Sequence, residues 1–198
     1  MKRNYAYAVV YDRTGRFLVA DKLPFGFFFF ENGKGKICNP GVSLHGGGYP
    51  ALPGGERKKG EDNTAAAKRE FLEETGVSIP AAEQVSGSPT WTDTKTGNQY
   101  AAGYFQVRGA VLQNLLVEVA AHLAAGEDAA IAVMGEEVKD YSSLRTEFPA
   151  APDSNELENP AILSVQENWD AIQGWGGSTD WFKTILGHMK KGLNFTGE

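Results

Sequence analysis

Two stretches near the start of the chain alternate apolar and polar residues, which is the pattern of half-buried strands. They are residues 5–11 and 16–21, and the turn-forming residues 12–15 lie between them. This spacing is typical of an antiparallel hairpin. Residues 90–94 and 99–108 repeat the arrangement around a second polar turn. The pattern therefore predicts two hairpins.

Residues 62–75, between the two hairpins, are helical in character. Asp62, Asn63 or Thr64 can cap the start, because each side chain offers an oxygen to a free backbone N–H of the first turn. Gly76 is placed to end the helix, because glycine readily adopts the left-handed conformation found at helix C-termini. We therefore expect a helix with defined ends.

Apolar residues recur at helical spacing in the second half of the chain. Residues 111–125 predict an inserted apolar helix, and residues 130–134 a short strand. Two C-terminal helices are expected in an extension over residues 159–192, the first capped by Asn159 with Pro160 in its first position. The second has an apolar face that consists of Phe182, Ile185, Leu186 and Met189.

Residues 22–50 have no clear period and are rich in glycine, phenylalanine and proline. We interpret them as a long loop or irregular insertion that folds over the site. Phe25 and the run 27–30 are expected in the core or in a hydrophobic lid, because four consecutive residues cannot all face one side of a strand. The alternative is a surface on which nucleobases stack.

The order of strands and helices indicates an α/β (α+β) layered fold. The chain has 198 residues, enough for one domain, which we assign to residues 1–198. No stretch approaches the roughly 20 apolar residues of a membrane helix. The first residues lack the apolar segment of a signal peptide, and the one cysteine, Cys38, fits a reducing compartment. We expect a cytoplasmic protein without a membrane partner.

The net charge of -6 argues against a nucleic-acid polymer as partner, because such binding depends on Lys and Arg side chains that meet phosphates. A small phosphorylated ligand is compatible with an acidic site, since bound cations bridge carboxylate and phosphate. The charge therefore favours small phosphorylated ligands that bind together with metal.

Residues 55–77 place glycine and charged residues at fixed spacing, as Gly55-x5-Glu61-x7-Arg69-Glu70-Phe71-x-Glu73-Glu74-x-Gly76-Val77. On the predicted helix, Glu70, Glu73 and Glu74 fall within one arc of about 100°. Like charges at this spacing destabilise a helix by roughly 0.2–0.5 kcal/mol per pair, and the helix dipole disfavours them near the C-terminus. Local stability therefore gives no reason for these glutamates.

A divalent cation would resolve this repulsion. Mg²⁺ is the natural candidate, because it is a hard ion held by one or two carboxylates, waters and phosphates, and Mn²⁺ is the alternative. Three glutamates alone would favour a solvated acidic helix face. The metal site is favoured instead by the residues at fixed spacing around them, Gly55, Glu61, Arg69 and Gly76. Arg69, within reach of Glu61 and four residues before Glu73, is expected to orient carboxylates.

The stretch 55–77 resembles the Nudix box of the Nudix hydrolases and matches all of its defined positions. The resemblance implies an α/β/α sandwich around a mixed β-sheet, with the box as a loop–helix–loop. It also implies magnesium-dependent hydrolysis of a phosphoanhydride bond in a nucleotide. The substrate would be a nucleoside diphosphate linked to another moiety or a nucleoside triphosphate. A homodimer is common among relatives, and a Nudix-fold binding or regulatory protein without turnover is the alternative.

The resemblance also implies roles for the residues of the box. Glu73 and Glu74 would be metal ligands, together with the backbone carbonyl of Gly55. Glu70 would be either a further ligand or the base that activates water. Glu61 would be an outer ligand or a structural partner of the arginine.

The family often supplies one more carboxylate from a loop well after the box. Glu136 and Glu137 follow the predicted strand 130–134 and occupy the matching place in this chain. We expect Glu137, ahead of Glu136, as base or ligand. Nothing in the box identifies residues that bind the rest of the substrate.

Overall fold

The structure is a computed structural model that describes residues 2–31, 33–177 and 180–192. Its strands are β1 (Asn4–Tyr11), β2 (Arg16–Lys22), β3 (Phe25–Glu31), β4 (Lys34–Ser43), β5 (Pro50–Ala51), β6 (Gly54–Glu56), β7 (Gln84–Gly87), β8 (Trp91–Thr92), β9 (Gln99–Gln106) and β10 (Leu157–Ser164). Its helices are α1 (Asn63–Thr75), α2 (Gly109–Met134), α3 (Tyr141–Glu147), α4 (Trp169–Gln173) and α5 (Asp180–Gly192).

A mixed sheet in the order β10-β2-β1-β9-β7 forms the centre of the molecule. Strands β1 and β9 pair in parallel, and the other pairs are antiparallel. The short strands β5, β6 and β8 add to β2, β1 and β9. A separate two-stranded sheet consists of β3 and β4. The α/β (α+β) class is therefore confirmed.

Helices cover both faces of the central sheet. On β9, the backbone at Gly103 approaches Ala67 of α1, whereas the hydroxyl of Tyr104 donates to the backbone carbonyl of Ile185 in α5 at 2.8 Å. Successive residues of a strand point to opposite faces, so α1 and α5 lie on opposite sides of the sheet. This is the α/β/α layering that the sequence predicts.

The first hairpin is confirmed, and Asp12 explains its turn. One oxygen of this buried carboxylate accepts hydrogen bonds from the backbone N–H groups of Thr14 and Arg16 and from the Thr14 hydroxyl. The other oxygen accepts from Nε of Arg16 at 2.7 Å. The turn is therefore held by a charged group that is itself fully paired.

The helix of the motif also forms as expected. Asp62 is the N-cap, and its carboxylate accepts from the backbone N–H of Ala65 at 2.8 Å. Gly76 ends the helix in the left-handed conformation, with φ of 73°. The buried face of α1 consists of Ala66, Ala67 and Phe71, which pack on β1 and β9.

The interpretation of residues 22–50 as a long loop is wrong, because β3 and β4 form a hairpin there. Phe28 is completely buried in a second hydrophobic cluster with residues of α2 and α3, while Phe25 is 53% exposed. Phenylalanines on both faces of β3 hide the alternation that marks a half-buried strand. The run is therefore partly core and partly surface.

The inserted helix is longer than predicted, and the prediction of a strand at residues 130–134 is wrong. Helix α2 runs to Met134, and its last turns bury Ala129, Ala130 and Val133 against the second cluster. Gly126 interrupts the apolar spacing but not the helix, since Pro152 packs about where a side chain would begin. Glycine inside a helix costs only about 1 kcal/mol, which packing readily offsets.

The prediction of the first C-terminal helix is partly wrong. Asn159 and Pro160 lie in the edge strand β10, at an irregularity in its pairing with β2, where proline is tolerated. Only α4 within that stretch is helical. Helix α5 is confirmed, and its buried residues are the four that the sequence indicates. The second hairpin forms between β8 and β9, and β7 is an unpredicted neighbour of β9.

No helix among the described residues is both long enough and apolar enough to cross a membrane. The assignment of one domain to residues 1–198 stays a prediction.

We predict that Asp12→Asn destabilises the protein by about 1.5–3 kcal/mol at pH 7, because hydrogen bonds that involve a charged group are lost. Burial acts to raise the pKa of Asp12, but hydrogen bonds from Thr14 and Arg16 outweigh it and hold that pKa below its usual value. The stabilisation is therefore complete above the unfolded-state pKa of about 3.9 and is lost as the pH falls through the folded-state pKa.

Urea unfolding of wild type and variant between pH 7 and pH 2.5 measures this difference. Asp93→Asn is the matched control, because Asp93 caps a similar but exposed turn without an arginine partner. We expect the control to lose less stability than Asp12→Asn, because its carboxylate is exposed to water. An equal loss for both variants would contradict the role of the Asp12–Arg16 pair.

Candidate functional site

The three glutamates of α1 face one cavity of about 760 Å³, which we call the carboxylate cavity. It lies between the C-terminal half of α1 and strand β6. Its lining consists of Arg3, Phe30, Glu31, Gly54, Gly55, Glu56, Arg57, Lys58, Lys59, Arg69, Glu70, Glu73, Glu74, Ser154 and Glu156. The structure therefore brings together the expected residues of the box in one place.

Strand β6 lies directly against these carboxylates. The backbone N–H of Gly54 donates to Oε2 of Glu74 at 2.8 Å. A Cβ atom on Gly55 would come within 2.5 Å of Oε2 of Glu70. Pairing of Gly55 with Ala6 of β1 fixes this approach. The glycine pair therefore lets the backbone come close to the acidic end of α1.

Arg69 contacts every other charged position of the motif except Glu74. Its Nε and Nη2 donate to the two carboxylate oxygens of Glu61, both at 3.0 Å. Its Nη1 donates to Glu70 at 2.7 Å and to Glu73 at 3.0 Å. Nη2 also donates to the backbone carbonyl of Glu56. Arg69 therefore pairs at the same time with Glu61 and Glu73, the two partners between which the sequence alone does not decide.

Lys22 holds the remaining carboxylates. Its Nζ lies 2.9 Å from Oε1 of Glu74 and also donates to Glu156. Lys22 is the last residue of β2, and Glu156 directly precedes β10, so the antiparallel pairing of these strands brings both to the end of α1. Reasoning from the sequence missed both residues, since more than 50 positions separate either of them from a partner.

The segment before Glu156 ties the site to the β3–β4 hairpin. The backbone N–H of Ser154 donates to the carbonyl of Glu73, and the Ser154 hydroxyl accepts from the backbone N–H of Phe30. Asn155 bonds the backbone of β3 in a similar way. These polar residues are buried because each of them satisfies a backbone group.

Glu136 and Glu137 lie elsewhere. Both follow the end of α2, are exposed, and do not line the carboxylate cavity. Glu156, by contrast, lines the carboxylate cavity. A signal for Glu156 is hard to find in the sequence, because helices α2 and α3 separate it from the box.

Burial sets the electrostatics of the cavity. It raises the pKa of Glu70 to about 7, although Arg69 acts in the opposite direction. Burial also raises the pKa of Glu74 above its usual value and opposes the effect of Lys22. The hydrogen bonds from Arg69 lower the pKa of Glu61. Glu70 and Glu74 are therefore harder to ionise than in water, because the effect of burial exceeds that of the cations beside them.

The ion pairs of the site join more carboxylates than cations. When ionised, Glu61, Glu70, Glu73, Glu74 and Glu156 carry five negative charges. Three cations pair with them, namely Arg69, Lys22 and Lys58, the last at 3.6 Å from Glu73. In this set of ion pairs the carboxylates therefore outnumber the cations by two.

The donor chemistry of the cavity fits a hard divalent cation, because carboxylate oxygens converge there beside the backbone of Gly55. The geometry differs from a closed metal-binding group. Among the described residues, no three His, Cys, Asp or Glu side chains are arranged as such a group. The carboxylates point to Arg69 and Lys22 instead, so metal binding requires their side chains to rearrange.

The family model described as NUDIX domain matches residues 1–168, which include every residue that lines the carboxylate cavity. No curated protein sequence matches the chain.

Solved structures similar to this chain include the MutT protein from Methanosarcina mazei Go1, with 15% sequence identity, a TM-score of 0.49, and coverage of 98% of this chain and 96% of that chain. A NUDIX hydrolase from Nitrosomonas europaea has 17% identity, a TM-score of 0.45 and coverage of 96% and 91%. A C. elegans Ap4A hydrolase in a binary complex has 14% identity, a TM-score of 0.45 and coverage of 96% and 97%.

We predict that Arg69→Lys destabilises the protein by about 1.5–3 kcal/mol at pH 7, because an ammonium cannot reproduce the forked contacts with three carboxylates. Thermal and urea unfolding measure the loss. Arg57→Lys is the matched control, since Arg57 lines the same cavity but makes one side-chain hydrogen bond, to Asn63. If both variants lose the same stability, Arg69 does not organise the cavity.

Proposed function

This chain belongs to the NUDIX domain family, and we propose that it hydrolyses a phosphoanhydride bond of a nucleotide with the help of Mg²⁺. The proposed substrate is a nucleoside diphosphate linked to another moiety or a nucleoside triphosphate. The family supports hydrolysis of pyrophosphate bonds in general. The observation that carries the metal-dependent form is the convergence of Glu70, Glu73 and Glu74 on one cavity beside the backbone of Gly55.

We assign the metal to Glu73, Glu74 and the backbone carbonyl of Gly55, with Mn²⁺ as a substitute for Mg²⁺. When bound, the metal supplies positive charge to the phosphate oxygens and lowers the pKa of a coordinated water. Arg69 and Glu61 orient the carboxylates through the hydrogen bonds described above. Such orienting residues affect activity without contact to the substrate.

Glu70 is proposed to accept the proton of the attacking water, or to act as a further ligand. Its position against β6 places it beside Gly55, where the backbone would hold the metal. A carboxylate within hydrogen-bond reach of the water increases its nucleophilicity as the P–O–P bond breaks. The positive side chains around the cavity then stabilise the negative charge of the separating phosphates.

Glu156 is proposed as the further carboxylate of the site. It lines the carboxylate cavity and shares Lys22 with Glu74. Glu137 stays a prediction of the sequence for the same role. Lys22 in turn is proposed to hold Glu74 and Glu156 at a fixed separation, because one ammonium group contacts both.

We predict that the protein releases a phosphorylated product or pyrophosphate from at least one member of a panel of nucleoside triphosphates and nucleotide conjugates when Mg²⁺ is present. Removal of Mg²⁺ with a chelator should abolish turnover. Glu73→Gln should lower kcat by about 100-fold or more, because a metal ligand is lost. Product release is measured by chromatography and phosphate assay.

Glu118→Gln, an exposed glutamate of α2 outside the cavity, is the control and should retain wild-type activity. Equal activity of wild type and Glu73→Gln would overturn the metal role of Glu73. Tight nucleotide binding without any turnover would favour a binding or regulatory protein of the same fold.

We predict a different outcome for the two late carboxylates. Glu156→Gln should lower kcat by about 10- to 100-fold, the usual effect of losing a group that supports metal ligands. Glu137→Gln should remain within about twofold of wild type, because Glu137 does not line the cavity. The reverse result would support Glu137 and overturn Glu156. Thermal unfolding of both variants separates a loss of chemistry from a loss of fold.

A further inference from the structure

A cleft of about 320 Å³ lies where helix α2 meets the starts of β3 and β10, and it is called the α2 cleft below. Most of its wall is apolar, with side chains from all three elements that include Phe25, Phe27, Leu123, Ile131, Met134 and Leu157. A volume of this size lies at the lower end of the range of small-molecule sites. The α2 cleft is therefore large enough for a small organic ligand.

The α2 cleft is separate from the carboxylate cavity. No residue of the described part of the chain lines both of them. Ser154 and Glu156 line the carboxylate cavity, whereas Asn155 and Leu157 line the cleft. Successive residues of an extended chain point in opposite directions, so the segment that leads into β10 divides the two. A ligand of the cleft is therefore a different molecule from one held by the box.

Exposed apolar side chains converge on the cleft. Phe25, Ile131 and Met134 are 53%, 54% and 47% exposed, and all three line it. Single exposed apolar residues are normal on a protein surface, such as Val117 of α2, which does not line the cleft. Apolar residues that meet in one concave place indicate a binding site instead. The cleft therefore presents apolar surface that a ligand can cover.

An irregularity in β10 adds a carboxylate to this apolar wall. The pairing of β10 with β2 shifts register between Glu158 and Ala161, and Asn159 has a φ of 48°. Leu157 and Glu158 both line the cleft, although adjacent residues of a regular strand point to opposite faces. β-bulges re-aim side chains in this way. The backbone of β10 therefore brings a charged group and an apolar group to the same ligand surface.

The negative charge of the cleft is not compensated by the protein. Glu127 of α2 and Glu158 line the cleft, and within the described part of the chain its walls contain no lysine, arginine or histidine. Partial burial and the charges of Asp21 and Glu127 raise the pKa of Glu158. Glu73 and Glu74 in the carboxylate cavity, by contrast, are each paired with a cation. The cleft therefore lacks the cation that the other site has.

We propose that the α2 cleft binds a small hydrophobic ammonium ion. Its apolar part would contact Phe25, Ile131 and Met134, and its ammonium group would lie beside Glu127 and Glu158. Two carboxylates repel anions such as nucleotides and favour a cation over a neutral ligand of the same shape. Phenylalanine rings in the wall act in the same direction, because the face of an aromatic ring attracts cations. The proposal does not depend on the proposed function.

The charge of α2 argues against a second copy of the chain as the occupant. The ionised residues of this helix are Glu118, Glu127 and Asp128, and it contains no lysine or arginine. A twofold contact uses the same surface on both copies, so it would bring these carboxylates close to one another. An ammonium ion is complementary to the same surface.

Titration of the labelled protein followed by NMR, without nucleotide or Mg²⁺, tests the proposal. Phenylpropylammonium, phenylpropanol and phenylpropionate share an apolar part and differ in charge. The ammonium ion should bind with a Kd below about 10 mM and shift the amide signals of residues 123–134 and 157–160. The alcohol should bind at least about fivefold more weakly, and phenylpropionate more weakly still.

Glu158→Gln should weaken binding of the ammonium ion by about threefold and leave the alcohol within about 1.5-fold, because only charge is lost. Glu118→Gln is the matched control, since it removes an exposed carboxylate of α2 that does not line the cleft. It should leave both ligands unchanged.

Met134→Ser should weaken the ammonium ion and the alcohol by the same factor, because it removes apolar contact that both ligands use. Val117→Ser is its control, as a change of an exposed apolar residue outside the cleft, and should affect neither ligand. Thermal unfolding of the four variants verifies that each is folded.

Equal binding of the ammonium ion and the alcohol would overturn the proposal, and so would the failure of the ammonium ion to bind. Binding that Glu158→Gln and Glu127→Gln both leave unchanged would place the ion elsewhere and also overturn it. Dimerisation of the ligand-free protein that Met134→Ser abolishes, measured by sedimentation, would identify a second copy as the occupant. Because no nucleotide or Mg²⁺ is present, failure of the proposed function would leave these results unchanged.

Discussion

The arrangement around α1 depends on keeping carboxylates that are largely removed from water within reach of cations. An unpaired carboxylate in such a place costs several kcal/mol, so each one needs a partner or a proton. Arg69 supplies the partner for Glu61, Glu70 and Glu73, and Lys22 does so for Glu74 and Glu156. Removal of either cation would leave two or more of these groups without compensation.

The central sheet brings Lys22 to the carboxylates whose charge it compensates. Lys22 ends β2 and reaches Glu74 because β2 lies next to β1, which in turn carries β6 and the glycine pair. One cation therefore depends on local helical structure and the other on the pairing of distant strands. Arg69 is supplied by the same helix as its partners, whereas Lys22 reaches its partners only after the strands have paired in the observed order.

This difference explains which parts of the site can be predicted from the sequence. The spacing of Glu70, Glu73 and Glu74 and the capping residues of α1 act over one helix, so local periodicity is enough to place them. Glu156 and Lys22 meet only through the pairing of β10 with β2, which no local pattern encodes. The wrong helix at the start of β10 has the same origin, because apolar residues in a short strand also satisfy a helical period.

Local sequence patterns likewise predict one cavity of the protein but not another. The carboxylate cavity is built mainly from one helix and the loop before it, so its chemistry can be inferred from consecutive residues. A second cavity, lined by Tyr5, Tyr100 and Trp181, requires the parallel pairing of β1 with β9 and the docking of α5, which bring these rings together. The carboxylates of the first cavity can therefore be predicted from the sequence of this chain, whereas the lining of the second cavity needs the folded structure.

The second hydrophobic cluster contributes to the site although it contains none of the carboxylates. Tyr141 of α3 donates its hydroxyl to the backbone carbonyl of Asp153, and Arg145 bonds the carbonyls of Ala151 and Pro152. These contacts fix the chain just before Glu156. Since Tyr141 packs against that cluster, the position of a carboxylate in the site depends on packing between α2, α3 and the β3–β4 hairpin. Under the proposed function an error of about 1 Å in this position would impair catalysis, so the segment between β9 and β10 would be part of what the site requires.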